Sequence, residues 1–196
     1  MTIPRGLAGR YPATFAALAA AGLAAAASLA PHAAVSGLVW RAGGDVETSW
    51  RLLTTHFVHL GAVHLLANLF AAALIGWTCD RLRLAGRLLG AILASLVGVD
   101  LGLLFGPWTV DWYVGLSGLL HGLFAWLCLA LALDPLREKS TRGLAAALCL
   151  GGLVKVLLTL GETVGAPGWL GIPQATPAHL YGYLGGAFWA LSRREK

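Results

Sequence analysis

Charged residues are scarce in this sequence. Asp, Glu, Lys and Arg make up 12% of its 196 residues, and apolar residues make up 58%. Soluble domains carry about 25% charged residues, and the mean hydropathy here is +0.73. Apolar runs recur at close to the roughly 20 residues that cross a hydrocarbon core. The composition therefore excludes an ordinary soluble domain and predicts an all-α membrane protein that crosses the bilayer several times.

The residue types that build metal and redox sites are rare as well. There are three cysteines, in or at the ends of apolar runs and without paired spacing: Cys79, Cys128 and Cys149. We therefore expect buried thiols and no disulfide or zinc framework. A His-Glu-x-x-His motif is absent. His56, His59 and His64 are close in the chain, but no Cys, Asp or Glu nearby completes a metal shell, so we expect no metal and no cofactor.

Six apolar runs predict six membrane spans in a single domain that covers residues 1–196. We place the spans at about residues 14–30, 61–78, 84–105, 117–133, 143–160 and 177–191. The first run is rich in alanine and follows two arginines, which is also typical of a cleaved signal peptide. We favour a retained span because the run is long for a signal peptide. A long first outer loop is expected between the first two spans.

Basic residues are unevenly distributed between the two sides of this predicted bundle. If the N-terminus is inside, eleven of the fourteen lysines and arginines lie in inner loops or at inner span ends. By the positive-inside rule, both termini are then cytoplasmic. The basic residues form no patch and no nucleic-acid-binding motif is present, so no nucleic-acid partner is expected. Tryptophans fall on the outer side, as interfacial anchors would: Trp40, Trp50, Trp108, Trp112 and Trp169.

A serine and a histidine lie near the outer ends of two predicted spans. Ser117 begins the fourth span in the stretch GLSGLLHG, and His179 lies near the start of the sixth. At 1.5 Å per residue, the two are about 25 Å and about 21 Å from the inner ends of their spans, so their depths are similar. Histidine is the usual base that activates a serine hydroxyl at neutral pH. No Asp or Glu completes a triad, so the pair predicts a Ser-His dyad.

Small residues predict that these two spans pack closely. Gly118 and Gly122 follow the serine, and Gly182 and Gly186 follow the histidine on its face of the helix. Glycines four residues apart let helix backbones approach each other. We therefore expect the serine and the histidine to come within reach of each other.

A second polar cluster lies at the entry to the second span. His64 and Asn68 are one helical turn apart on one face, and both side chains can donate hydrogen bonds to a developing oxyanion. Ser117 also begins a helix, where free N–H groups and the positive end of the dipole stabilise an anion. These groups predict an oxyanion-binding site.

Three motifs in this order resemble those of the rhomboid intramembrane serine proteases. They are Trp50-Arg51 in the first outer loop with His59, His64 and Asn68 behind it, Gly115-Leu-Ser117-Gly118, and Ala178-His179-Leu-Tyr-Gly182-x-x-x-Gly186. With the six-span topology, the resemblance covers about residues 10–192 and implies a rhomboid-like bundle. It implies Ser117 as nucleophile, His179 as base, and an oxyanion hole made of His64, Asn68 and the Ser117 N–H. The other motif residues are then expected to support the site: Gly115, Gly118, Gly182, Gly186, His59, Trp50 and Arg51.

One position departs from the common rhomboid pattern. Most rhomboids carry a tyrosine four residues after the serine, packed on the catalytic histidine, whereas this chain has His121. We expect His121 either to pack in the same way or to form a hydrogen bond. The stretch GLSGLLHG instead resembles the rhombosortase subfamily, which acts on bacterial proteins with a C-terminal glycine-glycine sorting helix. The resemblance implies a bacterial inner-membrane protease, open to the periplasm, whose partners are the lipid bilayer and membrane-anchored substrates.

Two other functions fit parts of the sequence. A non-catalytic rhomboid-like scaffold would bind membrane helices, but it would have no need to keep Ser117 and His179. A transporter would need polar groups through both leaflets, whereas those here cluster in the outer half of the predicted spans. Asp100 and Lys155, also in that half, are expected to form a structural pair, with Glu162 as the rival partner.

Overall fold

In the computed structural model, residues 11–28, 32–160 and 174–193 are described. Their helices are α1 (Pro12–Ser28), α2 (His32–Leu38), α3 (Arg51–Thr54), α4 (Gly61–Arg81), α5 (Ala85–Phe105), α6 (Ser117–Leu133), α7 (Lys139–Thr159) and α8 (Thr176–Ser192). Two short strands, β1 (Trp40–Arg41) and β2 (Trp112–Tyr113), pair in antiparallel fashion. The 3-10 turns Val46–Thr48 and Thr55–Phe57 lie between α2 and α4.

Each predicted span coincides with one of the longer helices. α4, α5 and α7 contain 21 residues each and are long and apolar enough to cross a membrane. α1, α6 and α8 contain 17 residues each, which is about 25 Å of helix and less than the roughly 30 Å hydrocarbon core. The described part of the chain therefore has three helices of full membrane length, and the count of six spans stays a prediction.

The largest difference from a predicted span boundary is at the start of α7. The helix begins at Lys139, whereas the apolar run begins at residue 143. Its first turn contains a lysine, a serine, a threonine and an arginine, which hydropathy assigns to a loop. A helix continues into polar sequence because its backbone hydrogen bonds do not depend on the side chains, so the apolar run underestimates its length.

α6 lies at the centre of the bundle. Not one of its residues is exposed, and Leu120, Leu123 and Trp126 pack in the main apolar core against side chains of α1, α4 and α5. The outer helices, in contrast, expose large apolar side chains, among them Phe70 on α4 and Leu158 on α7. Exposed apolar faces of this kind mark contact with a membrane. The serine therefore lies at the start of a helix that has no exposed residue.

α1 is fastened to the end of α4 by one carboxylate. Asp80 accepts hydrogen bonds from the Ala13 N–H at 3.0 Å, the Thr14 N–H at 2.8 Å and the Thr14 hydroxyl at 2.7 Å. It thus satisfies donors that the first turn of a helix leaves unpaired and puts a negative charge at the positive end of its dipole. A Cβ on Gly76 would lie 2.8 Å from the Ala13 carbonyl oxygen, so the two helices are in backbone contact.

The segment between α2 and α4 contains the strand β1, which the all-α prediction did not include. Trp40 pairs with Tyr113, and Arg41 pairs with Trp112. The hydroxyl of Thr55 accepts a hydrogen bond from the Trp40 N–H at 3.2 Å and donates one to the Tyr113 carbonyl. The segment before α4 is thus tied to the residues that lead into α6.

The tryptophans predicted to lie at the membrane interface differ in exposure. Trp50 is 50% exposed and Trp108 is 45% exposed, and their place at the interface stays a prediction. For Trp40 the prediction is wrong, because its side chain is 7% exposed and packs in an apolar cluster with Val99. Trp169 lies outside the described residues.

Candidate active site

Ser117 is the first residue of α6 and follows a tight turn. Gly115, two residues earlier, has a φ of +106°, which glycine adopts readily and other residues rarely do. A Cβ on Gly115 would lie 2.7 Å from Cε1 and 2.8 Å from Nε2 of His64. A glycine is therefore required here both by the backbone and by the imidazole beside it. The turn leaves the Ser117 N–H at the start of α6, where a helix has unpaired donors.

The structure brings Ser117 and His179 together. Nε2 of His179 lies 2.9 Å from Oγ of Ser117. His179 is 5% exposed and stands in the first turn of α8, just after Pro177. Its Nδ1 atom is buried and has no hydrogen-bond partner among the residues that the structure describes. With the proton on Nδ1, Nε2 is free of a proton and can accept the one on the serine hydroxyl.

Glycines set the distance between the two helices that carry this pair. A Cβ on Gly182 would overlap the Gly118 carbonyl, and a Cβ on Gly186 would overlap the Gly122 carbonyl. The backbones of α6 and α8 are therefore in direct contact along two turns, as small-residue pairs allow. A larger residue at any of these positions would push the two helices apart and lengthen the contact between the serine and the histidine.

His121 contacts both members of the pair. Its ring stacks on that of His179, with 4.1 Å between centroids and 13° between planes. Its Nδ1 atom lies 2.7 Å from the Ser117 carbonyl oxygen, so Nδ1–H donates to that carbonyl. The two arrangements left open for this residue, packing and hydrogen bonding, are both present.

His64 and Asn68 face the turn that precedes the serine. The Leu60 N–H donates to Nδ1 of His64 at 3.2 Å, so a neutral ring must carry its proton on Nε2. That Nε2 and the Asn68 Nδ2 would lie 2.8 Å and 3.6 Å from a Cβ on Gly115. The Asn68 Nδ2 is buried and lacks a hydrogen-bond partner within the described part of the chain. Two N–H donors thus converge on Gly115, two residues before Ser117.

His59 packs behind His64. The two rings meet edge to face, with 4.9 Å between centroids, and Nδ1–H of His59 donates to the Phe57 carbonyl at 3.1 Å. Burial lowers the pKa of His59, although the hydrogen bond to Phe57 acts in the opposite direction. A lowered pKa keeps this ring neutral at physiological pH. His59 therefore supports His64 by packing and adds no positive charge beside it.

Tyr113 contacts the same turn, and nothing in the sequence indicated it. Its side chain is fully buried; its hydroxyl donates to the Gly115 carbonyl at 2.6 Å and accepts from the Gly118 N–H at 3.2 Å. Burial raises the pKa of Tyr113, so the hydroxyl keeps its proton. The tyrosine thus contacts the backbone both before and after Ser117, at Gly115 and at Gly118. It precedes the GLSG motif in the chain, and its role can be recognised only when the conformation of the turn is known.

Tyr181, two residues after the histidine, anchors the start of α8 against α5. Its hydroxyl donates to the Trp108 carbonyl at 2.8 Å and accepts from the Trp108 N–H at 3.0 Å. A Cβ on Gly102 or Gly106 would overlap the tyrosine side chain. The sequence motif contained this tyrosine, but its partners lie some 75 residues away along the chain.

Trp50 and Arg51 lie at the start of the short helix α3. The Arg51 guanidinium is 5.7 Å from the centre of the Trp50 ring, and Nε of Arg51 is buried without a hydrogen-bond partner among the described residues. Because Trp50 is half exposed, the pair stands at the surface of the segment before α4. This pair is connected to the site by the turn that follows α3.

That turn carries a hydrogen-bonded histidine and aspartate that the sequence did not indicate. Nε2 of His56 lies 3.2 Å from Oδ1 of Asp100 on α5, and His56 is completely buried. The His56 ring also packs edge-on against Tyr113. Asp100 thus links α5 to the turn before α4. Its expected pairing with Lys155 stays a prediction, and Glu162 lies outside the described residues.

The cysteines remain thiols, as far as the structure describes them. All three are free. Cys79 and Cys128 are buried, whereas Cys149 is half-buried and contacts the Tyr183 hydroxyl at 3.1 Å. No group of three or more metal-ligating side chains comes together within the described ranges.

The helices, the glycine contacts and the hydrogen-bonded serine and histidine define a class of protein: a helical membrane protein with a polar site at one end of its bundle. The rhomboid domain family matches residues 46–196. The chain belongs to the rhomboid family, whose members are in general serine proteases that act within membranes. No curated protein matches the chain.

Proposed function

We propose that this chain is a rhomboid-type serine endopeptidase that cleaves membrane-anchored proteins with a dyad of Ser117 and His179. The observation that carries the proposal is the 2.9 Å contact between Nε2 of His179 and Oγ of Ser117. The donors of His64 and Asn68, which face the same turn, support an oxyanion hole beside the serine. The proposed enzyme is a single domain of six spans and uses no metal or cofactor.

Acylation begins when the hydroxyl of Ser117 attacks the carbonyl carbon of a substrate peptide bond. Nε2 of His179 takes the hydroxyl proton as the new C–O bond forms. The carbonyl oxygen becomes an oxyanion, to which the Ser117 N–H, His64 Nε2–H and Asn68 Nδ2–H donate. His179 then gives the proton to the substrate nitrogen, the C–N bond breaks, and the amine product leaves. The remaining fragment stays bound to Ser117 as an ester.

Deacylation repeats these steps with water as the nucleophile. His179 removes a proton from the water as the oxygen attacks the ester carbonyl, and the same three donors stabilise the second oxyanion. The proton then passes to Oγ of Ser117 as the C–O bond breaks, which restores the enzyme and releases a carboxylate product. Each donor of an oxyanion hole contributes about a factor of 10²–10³ to kcat. The tautomer of His64 is therefore important, because a neutral ring can donate from Nε2 only when its proton is on Nε2.

The substrate we propose is a C-terminal membrane helix with a glycine-glycine sorting signal, because GLSGLLHG resembles the rhombosortase subfamily. A peptide bond within a helix is shielded by neighbouring turns and must unwind before attack. Glycine lowers the cost of unwinding by about 1 kcal/mol per residue relative to alanine. We place the enzyme in the bacterial inner membrane, with both termini in the cytoplasm and the site open to the periplasm, because the basic residues favour that orientation.

The first test is cleavage of a membrane-anchored substrate in proteoliposomes. We expect Ser117→Ala to lower kcat at least about a thousandfold, since loss of a nucleophile removes the covalent route. The matched control is Ser95→Ala. Ser95 is also a serine within a helix, but its hydroxyl donates to the Ala91 carbonyl at 2.7 Å, so its loss should leave the rate within about threefold of the parent.

Two results would overturn the proposal. Cleavage at the parental rate by Ser117→Ala would exclude the serine as nucleophile. Binding of the substrate without any cleavage by the parent protein, under conditions in which it is folded, would favour the non-catalytic scaffold. Mass spectrometry of membrane-anchored secreted proteins, from cells with and without the chain, identifies the substrate and the cleaved bond.

A further inference from the structure

A second cavity lies at the opposite end of the bundle from Ser117. It measures about 670 Å³ and lies where α6 ends and α5 and α7 begin, beside the last turn of α8. Its lining residues on α6 run from Trp126 to Leu133, so the cavity lies roughly 14–24 Å from the serine along the helix axis. It contains no part of the proposed active site, and in the predicted orientation it faces the cytoplasm.

Positive charge exceeds negative charge around this cavity. Three arginines line it, Arg87, Arg142 and Arg193, together with one acidic residue, Asp134. The carboxylate of Asp134 already accepts hydrogen bonds from the Leu136 N–H at 3.0 Å and from Nε of Arg137 at 3.1 Å. This carboxylate also interacts with the charge of Arg87. With three arginines and one acidic residue in the lining, the cavity keeps a net positive charge.

The helix dipoles add to this charge. Arg87 is in the first turn of α5 and Arg142 is in the first turn of α7, and neither turn contains an acidic residue. The N-terminus of a helix carries a partial positive charge, which favours anions and disfavours cations. Arg87 thus lies at a helix end that disfavours a cation, whereas α7 has an acidic residue, Glu138, at its N-cap. An anion bound at this cavity would relieve the repulsion at the start of α5.

The arginines are held in place by the protein. Nε of Arg142 donates to the Ala132 carbonyl at 3.1 Å, and the Arg193 guanidinium stacks 4.5 Å from the centre of the Trp189 ring. A guanidinium with its Nε engaged still has four N–H donors on its terminal nitrogens. Such planar donors suit the oxygens of a phosphate group.

The rest of the lining is apolar. Leu84, Trp126, Leu133 and Trp189 are part of its walls. A free phosphate ion gains nothing from such walls, whereas the glycerol and upper acyl chains of a phospholipid do. Basic pockets between spans on the cytoplasmic side bind anionic lipid headgroups in this way.

We propose that this cavity is a binding site for the phosphate headgroup of an anionic phospholipid. Arg87, Arg142 and Arg193 bind the phosphate oxygens, and Trp189 contacts the glycerol and the start of the acyl chains. The site is independent of the proposed protease activity. It would fasten the ends of α5, α7 and α8 to the inner leaflet.

Native mass spectrometry of the full chain in detergent tests this site. The chain is mixed with equal amounts of phosphatidylglycerol and phosphatidylcholine, and the two lipid-bound forms are counted. We expect the parent to prefer phosphatidylglycerol. Each lost arginine should weaken that preference about fivefold, so Arg87→Gln with Arg142→Gln should weaken it roughly 25-fold.

The matched control removes two arginines from the same side of the protein but outside the cavity. Arg81→Gln with Arg83→Gln should change the preference less than about twofold. If the Arg87 and Arg142 variant fails to fold, Arg193→Gln replaces it, because Arg193 is exposed at the end of α8. That single change should weaken the preference about fivefold.

Three results would overturn the proposal. Equal binding of the two lipids by the parent would exclude a site that selects an anionic headgroup. An unchanged preference in the cavity variants would show that the lipid binds elsewhere on the surface. Displacement of phosphatidylglycerol by millimolar inorganic phosphate, without an effect of the acyl chains, would identify a site for a free anion instead.

Discussion

The ring of His121 stacks on the ring of His179 and orients it. In serine-protease triads a carboxylate at Nδ1 fixes the tautomer and orientation of the base. Here Nδ1 has no hydrogen-bond partner among the described residues, and His121 stacks on the ring at 4.1 Å. The hydrogen bond from Nδ1 of His121 to the Ser117 carbonyl then fixes His121 itself. We infer that His121 is a positioning residue for the base.

Substitution of His121 separates its two contacts. His121→Phe keeps an aromatic ring for stacking and loses the hydrogen bond, whereas His121→Ala loses both. Because small misplacements of a catalytic group cost about 10² in rate, we expect kcat to fall roughly tenfold in the phenylalanine variant and about a hundredfold in the alanine variant. Steady-state kinetics on a membrane-anchored substrate measure this.

If His121 had a merely structural role, the pattern would differ. The substitutions would lower thermal stability in parallel with activity, and His121→Phe would be no more active than His121→Ala. We expect KM and the thermal unfolding midpoint in detergent to stay close to those of the parent. An alanine variant with full kcat would rule out positioning by His121.

At the level of helices, the contact between α6 and α8 controls the geometry of the proposed dyad. Gly118 and Gly122 face Gly182 and Gly186, and the backbones touch. These four glycines were recognisable from their spacing, as were the approximate bounds of all six long helices, because hydropathy and glycine spacing are local properties. The start of α7 was misplaced because its first turn is polar. The strand pair was missed because two tryptophan-containing segments gave no local signal of pairing.

A pair of glycine substitutions tests the importance of this helix contact. In Gly186→Ala the new Cβ would overlap the Gly122 carbonyl, so we expect the free energy of unfolding to fall by about 1–3 kcal/mol and kcat to fall with it. Gly151→Ala on α7 is the control, since a Cβ there meets nothing within 4 Å. It should raise the free energy of unfolding by up to about 1 kcal/mol, the helix propensity gain of alanine.

Thermal unfolding in detergent and cleavage rates measured on the same preparations give both quantities. If Gly186→Ala were as stable and as active as Gly151→Ala, the close approach of α6 and α8 would have no role in the site. Loss of activity in both variants would point to a general effect of alanine in these helices.

Across the whole molecule, the two ends of the bundle differ in chemistry. One end carries the serine, four histidines and an asparagine around the start of α6, and the other carries arginines around its end. The residues that hold the first group come from distant parts of the chain. Tyr113, Thr55 and the His56–Asp100 pair connect the segment before α4 to α5 and α6.

These connecting residues could not be predicted from the sequence. Ser117 and His179 were found because serine, histidine and glycine stand out within apolar runs, where polar groups are costly. Tyr113 and Thr55 lie in polar loops, where such residues are common and need no explanation. Their contacts depend on how two loops meet, and that is decided by packing between elements that are separated in sequence.

Active-site labelling tests the central claim most directly. A fluorophosphonate, which reacts with an activated serine hydroxyl, is added to the folded chain, and the modified residue is identified by mass spectrometry of peptides. The account predicts one adduct, on Ser117, in the parent protein and its near absence in His179→Ala. An adduct on another residue, or equal labelling of Ser117 with and without His179, would contradict a dyad of these two side chains.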